Sequence, residues 1–136
     1  MRYLRVAAAV VLFSSLFVLA GGAVAQAAPC QPQTFATYRY SPTDMRLIFG
    51  IRLCHDQPSL GFGASASRSD RSGGVGIAVD GVAPCRNRVC VVRLAFAHGN
   101  ELAHYEGSIV WVNGSSDSLG PLTCLTATSI AGCRSG

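Results

Sequence analysis

The clearest hydrophobic and polar pattern in the chain repeats every two residues. In Arg46-Leu47-Ile48-Phe49-Gly50-Ile51-Arg52-Leu53 every odd position is large and apolar, while arginine stands at both ends of the even set. A strand with one face on a core and the other in water alternates in this way. Val92, Leu94 and Phe96 repeat the pattern with Arg93 on the opposite face. After Gly99-Asn100 it returns in Ala103 to Val112, with Tyr105, Ile109 and Trp111 on one side and His104, Glu106 and Ser108 on the other. These last two runs are predicted to pair with each other as a hairpin. Fainter strands are predicted at Phe35 to Tyr40, Leu60 to Ala66, Val75 to Val79 and Leu122 to Thr128, with a tight turn at Asn113-Gly114. Ser65 to Gly74, SASRSDRSGG, is rich in turn-forming groups and predicted to be a mobile polar loop. Beyond the N-terminal segment no window carries a 3.6-residue apolar stripe with caps. The pattern therefore predicts an all-β fold, a small antiparallel β-sandwich or barrel of about seven short strands.

The N-terminal segment is different in kind. Arg2 and Arg5 give a basic start, Val6 to Ala20 is an almost unbroken apolar run, and Gly21-Gly22 ends it. Two overlapping small-x-small sites follow, Ala23-Val24-Ala25 and Ala25-Gln26-Ala27. This is the layout of a secretory signal peptide, with cleavage expected between Ala25 and Pro29. The apolar core of about 15 residues falls short of the ~20 that span a bilayer. Cys30 follows Pro29 rather than a lipidation tripeptide, so no stable membrane anchor is expected. The reading divides the chain into residues 1–28, a cleaved signal peptide, and residues 29–136, a single all-β domain of a secreted, extracellular protein.

All six cysteines, Cys30, Cys54, Cys85, Cys90, Cys124 and Cys133, lie in the exported part. An even number in a short secreted chain implies a disulfide framework. Six cysteines allow 15 pairings. The sequential set, Cys30–Cys54, Cys85–Cys90 and Cys124–Cys133, is the expected one, and its middle bond joins two cysteines close enough to face each other across a hairpin. Beyond residue 28, nine arginines face seven acids, a net of about +2, and lysine is absent from the whole chain. So mild a balance argues against a nucleic-acid partner. Arginine without lysine, together with abundant alanine and glycine, reads as the codon bias of a GC-rich bacterial genome.

Motifs that would carry chemistry are few. Gly61-Phe62-Gly63-Ala64-Ser65-Ala66 fits G-x-G-x-x-A, but no helix follows to meet a phosphate, so it reads as a glycine-rich strand. There is no G-x-S-x-G elbow. Cys85-Arg86-Asn87-Arg88-Val89-Cys90 has four residues between its cysteines and runs into a strand, unlike the C-x-x-C of a dithiol catalyst at a helix start. His98, Glu101 and His104 are a zinc-compatible donor set, spaced for two sides of a hairpin rather than one helix face. They are the candidate metal or catalytic residues if the protein is a small extracellular hydrolase or metal-dependent enzyme. A structural protein of the cell envelope is a further alternative. The principal expectation is a non-catalytic binding domain with no cofactor, monomeric or weakly associating, whose partner is an extracellular protein. A carbohydrate is the second ligand class, although Trp111 and Tyr105 alternate with the core positions. Asn113-Gly114-Ser115 matches the glycosylation sequon but reads as a turn.

Two stretches carry the expected contacts. Arg86 and Arg88 stand in the small ring that a Cys85–Cys90 bond would close, where rigidity lowers the entropy lost on docking and guanidinium groups suit carboxylates. Tyr38, Arg39 and Tyr40, within Tyr38-Arg39-Tyr40-Ser41-Pro42-Thr43-Asp44, are of the types that dominate binding hot spots. The stretch resembles the Trp-Arg-Tyr segment of the small bacterial proteinaceous α-amylase inhibitors, which are secreted, all-β and disulfide-bonded and carry the triplet on an early hairpin inside a disulfide loop. The resemblance implies an inhibitory edge at these residues. It spans about seven residues and departs in having tyrosine for tryptophan, six cysteines rather than four, a longer chain and no match downstream. The competing reading is that Tyr38 and Tyr40 share one strand face and pack.

Overall fold

A computed structural model describes residues 28–97, 102–127 and 130–135. Eight strands run in chain order: β1 (Gln33–Tyr40), β2 (Asp44–Arg52), β3 (Ser59–Asp70), β4 (Gly73–Arg86), β5 (Val89–Ala97), β6 (Ala103–Trp111), β7 (Ser116–Ala127) and β8 (Ile130–Ser135). The described pairings are all antiparallel, and their order is β1-β2-β5-β4-β3-β6-β7-β8. β1 lies against β7 and β8, so the sheet is nearly closed into a barrel. The joint between β4 and β5 is short: only Cys85↔Cys90 and Arg86↔Val89 pair. The barrel is thereby divided into a three-stranded sheet, β1-β2-β5, and a five-stranded one, β4-β3-β6-β7-β8.

The period of two sets the core. Met45, Leu47, Phe49, Ile51 and Leu53 are buried from β2 and its end, Val92, Leu94 and Phe96 from β5, and Tyr105, Ile109 and Trp111 from β6. The even residues of β2 and their neighbours face outward, as predicted. One aromatic contact spans the two sheets, Phe96 of β5 meeting Tyr105 of β6 edge-on at 5.7 Å, and another joins neighbouring strands β3 and β6, Phe62 meeting Trp111 at 6.1 Å. Gly107 leaves room for Leu47 of the opposite sheet and for Ala66 of the neighbouring β3. A Cβ there would stand 3.0 Å from Leu47 Cδ1 and 3.2 Å from Ala66 Cβ.

Two bonds of the predicted framework are formed, Cys85–Cys90 and Cys124–Cys133, each between cysteines paired directly across neighbouring strands. Cys30 and Cys54 are disulfide-bonded as well, and none of the cysteines is free.

Three predictions about elements are corrected. The Val91 to Ala97 and Ala103 to Val112 runs do not form a hairpin: β5 pairs with β2 and β4, and β6 with β3 and β7. Alternation reports which face is buried and not which strand lies alongside, and β2 gives β5 a nine-residue register. Ser65 to Gly74 is not a loop. It is the second half of β3, the two-residue turn Arg71-Ser72 and the start of β4. Its serines occupy the wet face of a strand whose Ala64 and Ala66 are buried. Asp70 holds the turn by accepting the Ser72 N–H at 2.8 Å and the Ser72 hydroxyl at 2.6 Å. Finally, the strands number eight, and β3, β4 and β7 run to 12, 14 and 12 residues. Asn113-Gly114 is the predicted turn, with Gly114 at φ 89° donating to the Trp111 carbonyl at 2.9 Å.

Candidate functional site

The β4–β5 turn is built from Arg86-Asn87-Arg88-Val89. Arg86 and Val89 pair across the strands, leaving a two-residue loop in which Asn87 has φ 51° and Arg88 φ 66°. Two successive positive φ values define the I′ hairpin turn, whose twist matches the flanking strands and whose second position favours glycine. Asparagine tolerates this region. Arginine does so at a cost of about 1–2 kcal/mol. The turn is also braced. The Cys85–Cys90 bond closes it, Leu53 N–H donates to the Arg88 carbonyl at 2.7 Å, and Cys85 N–H donates to the Pro58 carbonyl at 2.9 Å. Asn87 and Arg88, with Cys54, His55 and Asp56, line a shallow depression of about 420 Å³.

The turn stands at one end of a larger basic surface. On the outer face of β1-β2-β5 the register sets Arg39 opposite Arg46, Arg46 beside Ala95, Arg93 beside Ile48, and Arg52 beside Val89. Phe35, 41% exposed, lies over Gly50 in the middle of this face, where a Cβ on Gly50 would fall 2.0 Å from Phe35 Cζ. Six of the nine arginines beyond residue 28 thus sit on this sheet and its terminal turn: Arg39, Arg46, Arg52, Arg86, Arg88 and Arg93. Among the described residues only Arg46 of the six is in an ion pair, its Nε 2.8 Å from Asp44 Oδ2. The Ser41 hydroxyl, donating to Asp44 Oδ1 at 2.5 Å, and the Arg46 guanidinium hold the Asp44 carboxyl below its ordinary range. Like charges directly opposite on paired strands destabilise a sheet. At the Arg39–Arg46 pair, Asp44 lies close to both guanidinium groups and offsets this repulsion.

Comparison with protein-family models, curated proteins and solved structures yields no match.

The residues singled out from sequence fall in separate places. Arg86 and Arg88 lie together on the turn. Tyr38, Arg39 and Tyr40 belong to β1 and point alternately: Arg39 joins the arginine face, whereas Tyr38 and Tyr40 pair with the inward-facing Leu47 and Met45, and Tyr40 packs against the core. The two candidate stretches stand at opposite ends of the three-stranded sheet, roughly 24 Å apart over the steps from Met45 to Arg52 at about 3.4 Å each. Trp111 and Tyr105 are buried. His98 and Glu101 lie outside the described residues. His104 stands on the outer face of β6 with Nδ1 3.0 Å from Thr123 Oγ1. Among the described residues no three His, Cys, Asp or Glu side chains gather as metal ligands do. Sequence reasoning missed Arg46, Arg52 and Arg93 as a group, together with Phe35, His55 and Asp56. The outward positions of the arginines were legible; their adjacency depends on the β2–β5 register.

Proposed function

We propose that the protein is a secreted binding domain that docks on an acidic protein surface through the arginine-bearing outer face of β1-β2-β5 and the Arg86–Arg88 turn. The observation that carries this reading is the segregation of charge. Six arginines share the three-stranded sheet and its turn with Asp44 and the neighbouring Asp56. The described five-stranded side holds Arg68, Arg71 and Arg134 against Asp70, Asp80, Glu106 and Asp117. The strands fix the spacing of the arginine Cα atoms, while each flexible guanidinium arm still has to be ordered on docking, at about 0.5–1.5 kcal/mol per side chain. Phe35 supplies an apolar contact in the midst of charges that pair bidentately with carboxylates. The braced turn extends the same surface past the end of the sheet.

The test is capture of partners from culture medium by the immobilised protein, followed by affinity measurement on the captured protein. Arg86→Ala with Arg88→Ala is expected to weaken binding by tenfold or more, as is Arg46→Ala with Arg93→Ala. If both double variants bind every captured partner as tightly as the parent does, the arginine face is not the contact.

A further inference from the structure

Among the described residues β4 is paired along one edge for most of its length. From Gly73 to Pro84 it pairs with β3, and among the described residues its other edge meets β5 only through Cys85 and Arg86. Every residue from Gly73 to Val82 except Ile77 is exposed, and three are large and apolar: Val75 at 55%, Val79 at 38% and Val82 at 66%. Such an edge presents a row of free backbone N–H and C=O groups, which sheet proteins ordinarily guard with lysine, arginine, proline, bulges or brevity. From Gly73 to Ala83 this strand has none of those side chains, and its single charge is Asp80. Of its two ends, only the one at Pro84 is blocked.

The sequence of the edge says what fits it. Gly73-Gly74-Val75-Gly76-Ile77-Ala78-Val79-Asp80-Gly81 is nearly a palindrome about Ile77. A two-fold axis through Ile77 in an antiparallel pair of identical strands sets Val75 opposite Val79, Gly76 opposite Ala78, and Gly73 opposite Gly81. It also sets Asp80 opposite Gly74, so that the one charge does not meet its own copy. The valines and Ile77 share a face, as odd positions of a strand must, and cross-strand β-branched pairs are favourable.

We infer that β4 is a self-pairing edge, through which two copies of this chain join their five-stranded sheets into one continuous ten-stranded sheet by the isologous pairing Val75↔Val79 about Ile77. The surface is separate from the arginine face, and the inference does not depend on that face's role.

Sedimentation equilibrium on the protein expressed from its complete sequence in an exporting host tests it. The expected result is a mass that rises with concentration from one chain to two. Two double variants then read the register. Val75→Lys with Val79→Lys places lysine opposite lysine at both ends of the pairing, and the two-chain species should be lost. Val75→Lys with Val79→Asp places lysine opposite aspartate, and the two-chain species should be retained. Both alter exposed positions, and unchanged far-UV circular dichroism identifies them as folded. A single-chain mass throughout the concentration series, or a dimer that survives the lysine pair, overturns the inference. So does equal loss of the dimer in both folded variants, since it would place the contact in another register.

Discussion

Arg88 is the residue at which stability and presentation are in conflict. Its φ of 66° lies where glycine is free and arginine is strained by about 1–2 kcal/mol. Glycine returns part of this through its greater freedom in the unfolded chain, about 0.5–1 kcal/mol. Arg88→Gly is therefore expected to raise the stability of the fold by about 0.5–1 kcal/mol in urea unfolding, while weakening capture of the acidic partner. A stability loss would show that the guanidinium contributes to folding. Asp44 and Asp70 act in the other direction. Hydrogen bonds from the Ser41 hydroxyl and the Arg46 guanidinium lower the first, and those from the Ser72 hydroxyl and N–H lower the second. A carboxyl whose folded pKa is depressed contributes stability above its unfolded pKa, and that contribution is lost as pH falls through the folded value. Asp44→Asn with Asp70→Asn should consequently lower the melting temperature at neutral pH and leave it little changed in strong acid, so that the two melting curves converge on acidification. Parallel curves would mean that neither carboxylate is stabilised in the fold.

At the scale of elements, the β4–β5 hairpin shows how much stability a short staple supplies. The ring closed by Cys85–Cys90 is small, with a sequence separation of 5, so chain-entropy reasoning gives it about 2 kcal/mol; the separation of 9 for Cys124–Cys133 gives slightly more, about 2.6 kcal/mol. Cys85→Ala with Cys90→Ala should lower unfolding free energy by about 2 kcal/mol, and binding should fall further than stability does because the turn is freed. The hairpin's position was readable in the sequence, since turn residues between close cysteines leave few geometries. Faces were readable too: each apolar residue of the Arg46 to Leu53, Val92 to Phe96 and Tyr105 to Trp111 runs assigned inward is buried. Pairing was not. A strand with one buried face carries no mark of its neighbour, and the partner of β5 is β2, some forty residues earlier, rather than the run that follows it. The Ser65 to Gly74 stretch misled for a related reason. Small polar residues favour turns locally, yet alternating with Ala64 and Ala66 they suit a half-buried strand, and the Asp70–Ser72 turn is all the loop it contains.

Across the whole molecule, net charge conceals how the charges are distributed. A balance of about +2 beyond residue 28 describes an unremarkable domain, but the fold sorts it into a basic sheet and a near-neutral one. Seen from a partner within a Debye length, about 8 Å at physiological salt, only the nearer sheet is felt. Exposed charges of this kind act on the encounter more than on the lifetime of a complex. For the captured acidic partner, Arg46→Glu with Arg93→Glu should thus reduce the association rate constant by tenfold or more at low salt and leave dissociation much less affected. The difference from the parent should shrink as salt is raised. Glu106→Gln with Asp117→Asn, on the opposite sheet, should change neither rate appreciably. Surface plasmon resonance over a salt series distinguishes the cases: the arginine variant makes the chain more negative and the Glu106/Asp117 variant makes it more positive, so a clear acceleration of association by the second beside the slowing by the first would mean that the partner is steered by overall charge alone, and the arrangement of arginines on β1-β2-β5 would then have no part in its recognition.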